Sequence, residues 1–257
     1  MSRVSYLLVL TLLASLCLGS VAAASQTARL GVTFTPNRLG QGANVEFNTR
    51  ITAPKGEVPS PLSKLVMHYP SSLGFEVSGL GTATCSEAIL ESRGPRGCPA
   101  DSLMGRGSVV VAIPIGPEAI YEDATVAILR APQEGGVAMF FYLDGTEPVD
   151  ANVILTGLLS EDTAASASEK ILVSVPTVEG LPDGPDVAVV QLRATFGPLG
   201  LTYYERVRGE FVPYRPRGIL LPKRCPRGGF RFSADFTFQD GSRSTALARV
   251  PCPMRSK

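Results

Sequence analysis

The chain has no tryptophan and a single histidine, His68, among 257 residues. Without tryptophan it lacks the ring on which sugar-binding modules most often stack their ligands. One histidine, with no Cys-x-x-Cys pair, leaves no set of zinc ligands at the usual spacing. A Ser-His or Cys-His hydrolase needs a nucleophile beside its base. No Gly-x-Ser-x-Gly is present, and Gly105-Arg106-Gly107-Ser108 does not fit that pattern. His68 falls on a strand-like segment, sharing a face with Lys64 and Val66, and is expected to be a partly exposed strand residue. Many carboxylates occur, but no spacing singles out a pair for glycoside hydrolysis. Gly79-Leu80-Gly81 lacks the lysine and the following helix of a phosphate loop. No cofactor motif is found, and no catalytic residue is assigned.

Long apolar runs are also missing, except at the start. Arg3 precedes the apolar stretch Tyr6 to Leu18, and Ala22-Ala23-Ala24 offers a small-residue cleavage site before Ser25. A charged start, a short apolar core and small residues make residues 1–24 a secretory signal peptide. The run falls short of the roughly 20 residues that cross a bilayer. The mature chain is expected outside the cytoplasm, secreted or held at the cell envelope, with no transmembrane segment.

Cysteine usage fits export. Cys17 leaves with the leader, and Cys85, Cys98, Cys225 and Cys252 remain. An even number in an oxidising compartment predicts disulfides, and three pairings are open. Closeness in sequence favours Cys85–Cys98 and Cys225–Cys252.

What the chain does have is alternation. From Phe230 to Phe238 the even positions are Phe, Phe, Ala, Phe and Phe, and the odd ones are Arg231, Ser233, Asp235 and Thr237. Period two of this kind marks a strand with one buried face. Ser244–Val250 follows, with Ala246, Ala248 and Val250 on one side. A three-residue loop Asp240-Gly241-Ser242 would align the two apolar faces, setting Phe236 opposite Ala246 and Cys252 opposite Phe230. Ala28–Phe34, Ala43–Ala53 and Ala188–Phe196 alternate in the same way, and less regular strands are expected near 62–69, 108–113, 124–129, 153–158, 171–175 and 204–212. Val137 to Tyr142 is apolar on both faces, as in a strand covered on two sides. Thr84 to Glu87 has capping-box spacing ahead of Ala88-Ile89-Leu90, and Gly94-Pro95 would end the short helix. The disulfide Cys85–Cys98 would clasp it. Together these predict an all-β fold, an antiparallel β-sandwich of about 12 strands with one short disulfide-clasped helix, in a single domain over residues 25–257. Two subdomains split near 114–118 are the alternative.

Cys85, the short helix, Cys98-Pro99, Ser102 and Gly105, and later Leu221-Pro222, Cys225-Pro226, Gly229-Phe230 and Cys252-Pro253, resemble a pattern in uncharacterised exported proteins of actinobacterial type. The resemblance implies the fold and the compartment and brings no activity with it.

Charge is balanced overall but not along the chain. From residue 201 onward there are 12 basic and 4 acidic residues; from 25 to 200 there are 11 basic and 19 acidic. Arg206, Arg208, Arg215, Arg217, Lys223, Arg224 and Arg227 are candidates for contact with an anionic envelope polymer or protein, if they share a face. Nucleic acid is not expected as a partner, because the nearby phenylalanines look buried. Asp144, Glu147 and Asp150 crowd one loop and form a weak calcium candidate. The leading function is a non-catalytic secreted or envelope binding or structural module. An extracellular hydrolase and a calcium-dependent adhesion module are the alternatives. The sequence does not specify an oligomeric state.

Overall fold

The computed structural model describes residues 26–54, 57–74, 83–146, 151–163, 167–180, 184–197 and 200–253. The leader lies outside them, as do Gly79-Leu80-Gly81, Glu147 and Asp150 of the calcium candidate. In chain order the strands are β1 (Thr27–Thr35), β2 (Gly42–Thr52), β3 (Leu62–Pro70), β4 (Leu103–Ile115), β5 (Glu118–Ala131), β6 (Val137–Gly145) and β7 (Ala151–Glu161). They continue with β8 (Ala167–Ser174), β9 (Ala188–Phe196), β10 (Tyr203–Val207), β11 (Glu210–Tyr214), β12 (Ile219–Leu220), β13 (Phe230–Phe238) and β14 (Arg243–Val250). One helix, α1, spans Glu87–Arg93.

Twelve strands make one antiparallel sheet, ordered β1-β2-β9-β4-β5-β6-β7-β8-β3-β13-β14, with β12 paired to the start of β2. The all-β antiparallel architecture expected from the alternation is therefore present. The sheet curls until its edges meet, so its facing layers enclose one core. Side chains join the edges: the Ala28 amide donates to Ser244 Oγ (3.0 Å), and Gln26 Nε2 donates to Asp240 Oδ2 (2.9 Å) and Ser242 Oγ (3.1 Å). Strand alternation decides which side chains go inside. On β2, Ala43, Val45, Phe47, Thr49 and Ile51 are buried, while Arg50 and Asn48 face out. On β13 every even position is buried. Outward positions such as Arg29, Arg50 and Lys64 are exposed. Apolar inside and charged outside is the reverse of a barrel that crosses a bilayer.

The two ends of the barrel differ. At one end, six aromatic rings close the interior. Phe232 meets Phe34, Phe47 and Tyr69 edge-on at 6.0, 5.7 and 6.0 Å; Phe34 also meets Phe230, and Phe47 meets Phe196. Each such pair adds about 0.5–1.5 kcal/mol beyond burial.

Both disulfides form as expected, Cys85–Cys98 and Cys225–Cys252. By loop-closure entropy they contribute about 3 and about 3.5 kcal/mol respectively. Helix α1 is capped at Ser86, whose carbonyl accepts from the Leu90 amide; Thr84 does not cap it, so the capping-box expectation is corrected by two residues. Gly94, at φ 62°, ends it. Leu90 and the clasp cover Ala138, Phe140 and Tyr142 on the outside of β6, while Val137 and Met139 face the barrel core. This explains the apolar character of both faces of that strand.

Two further expectations need correction. The β13–β14 loop has three residues, but they are Gln239-Asp240-Gly241: Phe238 N donates to Ser242 O, and Phe236 pairs with Ser244. A type I turn wants its left-handed residue last, which is where Gly241 sits at φ 80°. Moving the loop by one residue shifts the register by two, so the same faces stay together, with Ala246 opposite Ala234 and Val250 opposite Phe230. The segment 204–212 is not one strand. It folds back at Arg208 (φ 53°) and Gly209 (φ 92°), giving the separate hairpin β10–β11. Two successive positive φ angles are those of a type I′ hairpin turn. Residues 114–118 form the β4–β5 hairpin turn within the main sheet.

Candidate functional site

Among the described residues, the end opposite the aromatic rings is not filled. Across β5, β6 and β7, three small interior residues stand side by side: Ala124 pairs with Gly145, and Gly145 with Ala151. Aliphatic side chains, among them Val109 on β4, Leu155 on β7 and Val173 on β8, face the space these residues leave. The result is an apolar cavity of about 170 Å³, floored by Phe47, Tyr69 and Phe196. Exposed Pro176 and Glu179 line its other end, which marks the mouth. The described parts of the β8–β9 connection form one side of the mouth, held by Val187 N donating to Val178 O (2.8 Å). Gly157 leaves room for the Phe141 ring in the lining, because a methyl group there would lie 2.6 Å from Phe141 Cε2.

Glu122 is the exception in this lining. It lies on β5, opposite Val111 and two residues nearer the rim than Ala124, and is only 5% exposed. The interior phase of β5 runs Glu122, Ala124, Val126, Ile128, so strand geometry turns its carboxylate inward. Extending the alternation of Ala124–Leu129 back by one period finds it in the sequence. Among the described residues, the other polar side chains on the lining are those of Thr49, Tyr69 and Glu179.

At the aromatic end, Tyr69, Glu169 and Glu161 adjoin across β3, β8 and β7. Burial, reinforced by Glu169, holds the Tyr69 phenol well above its usual range. Burial, then Glu161 directly opposite, raises the Glu169 carboxyl, and Glu169 Oε2 has no hydrogen-bond partner among the described residues. A carboxyl raised in the folded state favours folding below the ordinary glutamate range and loses that contribution as pH rises through its folded pKa. Glu169→Gln is therefore expected to stabilise the protein at neutral pH, by up to about 1 kcal/mol, the size of a cross-strand charge pair. Urea melts should show that gain shrinking to nothing by about pH 3.5, where the glutamate is protonated in both states. An equal gain at both pH values would contradict this.

His68 lies on the outer face, half-buried between two aspartates. Nδ1 meets the Asp162 carboxylate and Nε2 meets Asp235 Oδ2 at 3.0 Å; Asp235 Oδ1 in turn accepts from Thr245 Oγ1 at 2.6 Å. Both ring nitrogens face carboxylates, and Thr245 donates to an aspartate rather than to the ring. A general base needs one nitrogen turned to its nucleophile. This arrangement is a hydrogen-bonded clamp joining β3, β13 and the β7–β8 connection.

Arg206, Arg208, Arg215, Arg217, Lys223, Arg224 and Arg227 are all exposed. Their segments all attach at the aromatic end. The β10–β11 hairpin is tied there by Tyr203 OH donating to Leu103 O (3.0 Å), its phenol pushed up to about 12 mainly by burial. Residues 219–223 run beside Gly40 and Gly42, and the second disulfide closes the start of β13. Arg231 and Arg249 oppose each other on the neighbouring strands. Among the described residues, none of the seven candidates forms an ion pair. The hairpin itself exposes Tyr204 (67%) and Phe211 (71%), with the Arg206 guanidinium 6.0 Å above the Phe211 ring. Those aromatics are not buried, contrary to the expectation from sequence, because this hairpin lies off the main sheet.

Asp144 faces outward on β6, opposite Asn152. No group of three or more His, Cys, Asp or Glu side chains is placed to hold a metal among the described residues. No helix among them is long and apolar enough to cross a membrane. The chain matches no protein-family model, no curated protein and no solved structure.

Proposed function

We propose that this is an exported, non-catalytic binding module whose barrel interior holds an apolar ligand. The observation that carries this is the cavity: aliphatic on its walls, floored by aromatic rings and, among the described residues, open at one end. Burial of apolar ligand surface there is favourable by about 25 cal/mol per Å², and binding sites are concave and mostly apolar. Export rests on the leader and fits the two disulfides. N-phenyl-1-naphthylamine, a dye that fluoresces in apolar surroundings, is expected to bind saturably at one site per chain. Fluorescence that rises linearly without saturation would overturn the proposal.

The basic end supports a second contact, with an anionic envelope polymer. Seven exposed cations gathered at the end away from the mouth leave the cavity accessible while that contact forms. The protein is expected to be retained on immobilised heparin at low salt. Replacing Arg215, Arg217, Lys223 and Arg224 by serine should lower the salt needed for elution, since such attraction is screened over about 10 Å at 0.1 M. Unchanged elution of the variant would rule out this face.

A further inference from the structure

The β10–β11 hairpin is a sheet of its own, fixed to the barrel at its base by the Tyr203 hydroxyl on Leu103 O and turning at Arg208-Gly209. Strand pairing sorts its side chains. Tyr204 pairs with Pro213 and Arg206 with Phe211, so these four share one face, and none of them is acidic. Glu210 takes the other phase, opposite Val207. Every residue from Arg206 to Pro213 is exposed, so the hairpin is a protrusion and not a groove. Large rings are ordinarily drawn out of water. Two of them on an exposed face, with Val207 and Val212 also exposed, mark a surface built for contact.

The contact also carries charge. Arg206 and Arg208 lie on the hairpin, and Arg215, Arg217, Lys223, Arg224 and Arg227 lie at the same end of the barrel, none of them in an ion pair among the described residues. The complement is therefore anionic. A hydrated polymer would meet the arginines and leave the two rings in water. A bilayer of anionic lipid meets both, since its headgroups attract cations and its interface is where aromatic rings settle. A protruding tip also suits a surface that deforms around it. We propose that the β10–β11 hairpin docks the protein on an anionic bilayer, with Tyr204 and Phe211 entering the headgroup boundary and Arg206 and Arg208 meeting lipid phosphates. The cavity mouth, at the other end of the barrel, then faces away from the bilayer. This docking does not depend on the cavity being occupied, and its rings lie outside the set Arg215, Arg217, Lys223 and Arg224 assigned to the polymer.

The test uses the chain from Ser25 onward, which holds the whole described fold and leaves out the apolar leader. Vesicles of phosphatidylcholine alone, or mixed equally with phosphatidylglycerol, are floated with it. Apparent affinity for the anionic vesicles is expected to be at least about tenfold the higher. Replacing Tyr204 and Phe211 together by serine should weaken that binding at least about tenfold, with heparin elution unchanged. The thermal midpoint should not move, since both positions are exposed. The chain has no tryptophan, so Tyr204→Trp adds a single indole, whose emission should shift to the blue on anionic vesicles. Full affinity in the double serine variant, or indole emission unmoved at saturation, would overturn the inference. Retention on heparin without vesicle binding would also overturn it and leave the polymer contact alone. Vesicle binding without retention on heparin would support it and remove the polymer.

Discussion

Ala124→Phe is expected to weaken dye binding at least about tenfold without unfolding the protein. Ala124 faces the cavity with Gly145 directly across on the next strand and Ala151 beyond it, so a ring placed there enters open space. In a filled core the same enlargement forces strained rotamers and costs about 1–3 kcal/mol. In a cavity it adds contacts that the walls lack. The affinity should therefore fall by at least about tenfold, while the midpoint of thermal unfolding stays level or rises. A marked loss of stability would mean that the space is not there, and unchanged affinity would mean that the ligand binds elsewhere.

Phe232→Ala is expected to have the largest effect on folding, about 3–5 kcal/mol for a buried Phe-to-Ala change. Phe232 is buried, and its ring meets Phe34, Phe47 and Tyr69 edge-on, joining β13 to β1, β2 and β3. β3 is the hydrogen-bonded neighbour of β13, and β1 and β2 lie across the seam where the sheet's edges meet, so the ring ties the two edges of the curled sheet together. Urea unfolding measures the loss. Leu247→Ala, at a residue 77% exposed, is the comparison and should change stability by less than about 0.5 kcal/mol. Similar effects at both positions would mean that the rings do not form the floor described.

How much of this the chain announces depends on the distance over which each feature is decided. Phe230–Phe238 could be read to the residue, because burial of every second side chain is written locally; the bounds of Ala188–Phe196 could be read too, but an irregularity beside Val190 turns Val189, not Val190, to the core with Leu192 and Phe196. The disulfide pairs were legible because each closes a short loop. The β10–β11 hairpin was missed because Arg208 holds a left-handed conformation that its side chain does not advertise. Curling of the sheet depends on pairings such as β3 with both β8 and β13, which sequence order does not give. The cavity was hidden for the same reason, since Ala124, Gly145 and Ala151 become neighbours only across strands. Glu122 was within reach, being one more step of a pattern already recognised. The exposed face of Tyr204 and Phe211 was not, because aromatic residues in a strand ordinarily signal burial.

The most direct measurement of an apolar ligand inside the barrel is methyl NMR of the intact chain titrated with decylamine. Saturable shifts confined to cavity methyls such as those of Val109, Val126, Leu155 and Val173, with Leu247 on the outer face unmoved, are the predicted result. Shifts restricted to outward-facing methyls, or none at all, would contradict it.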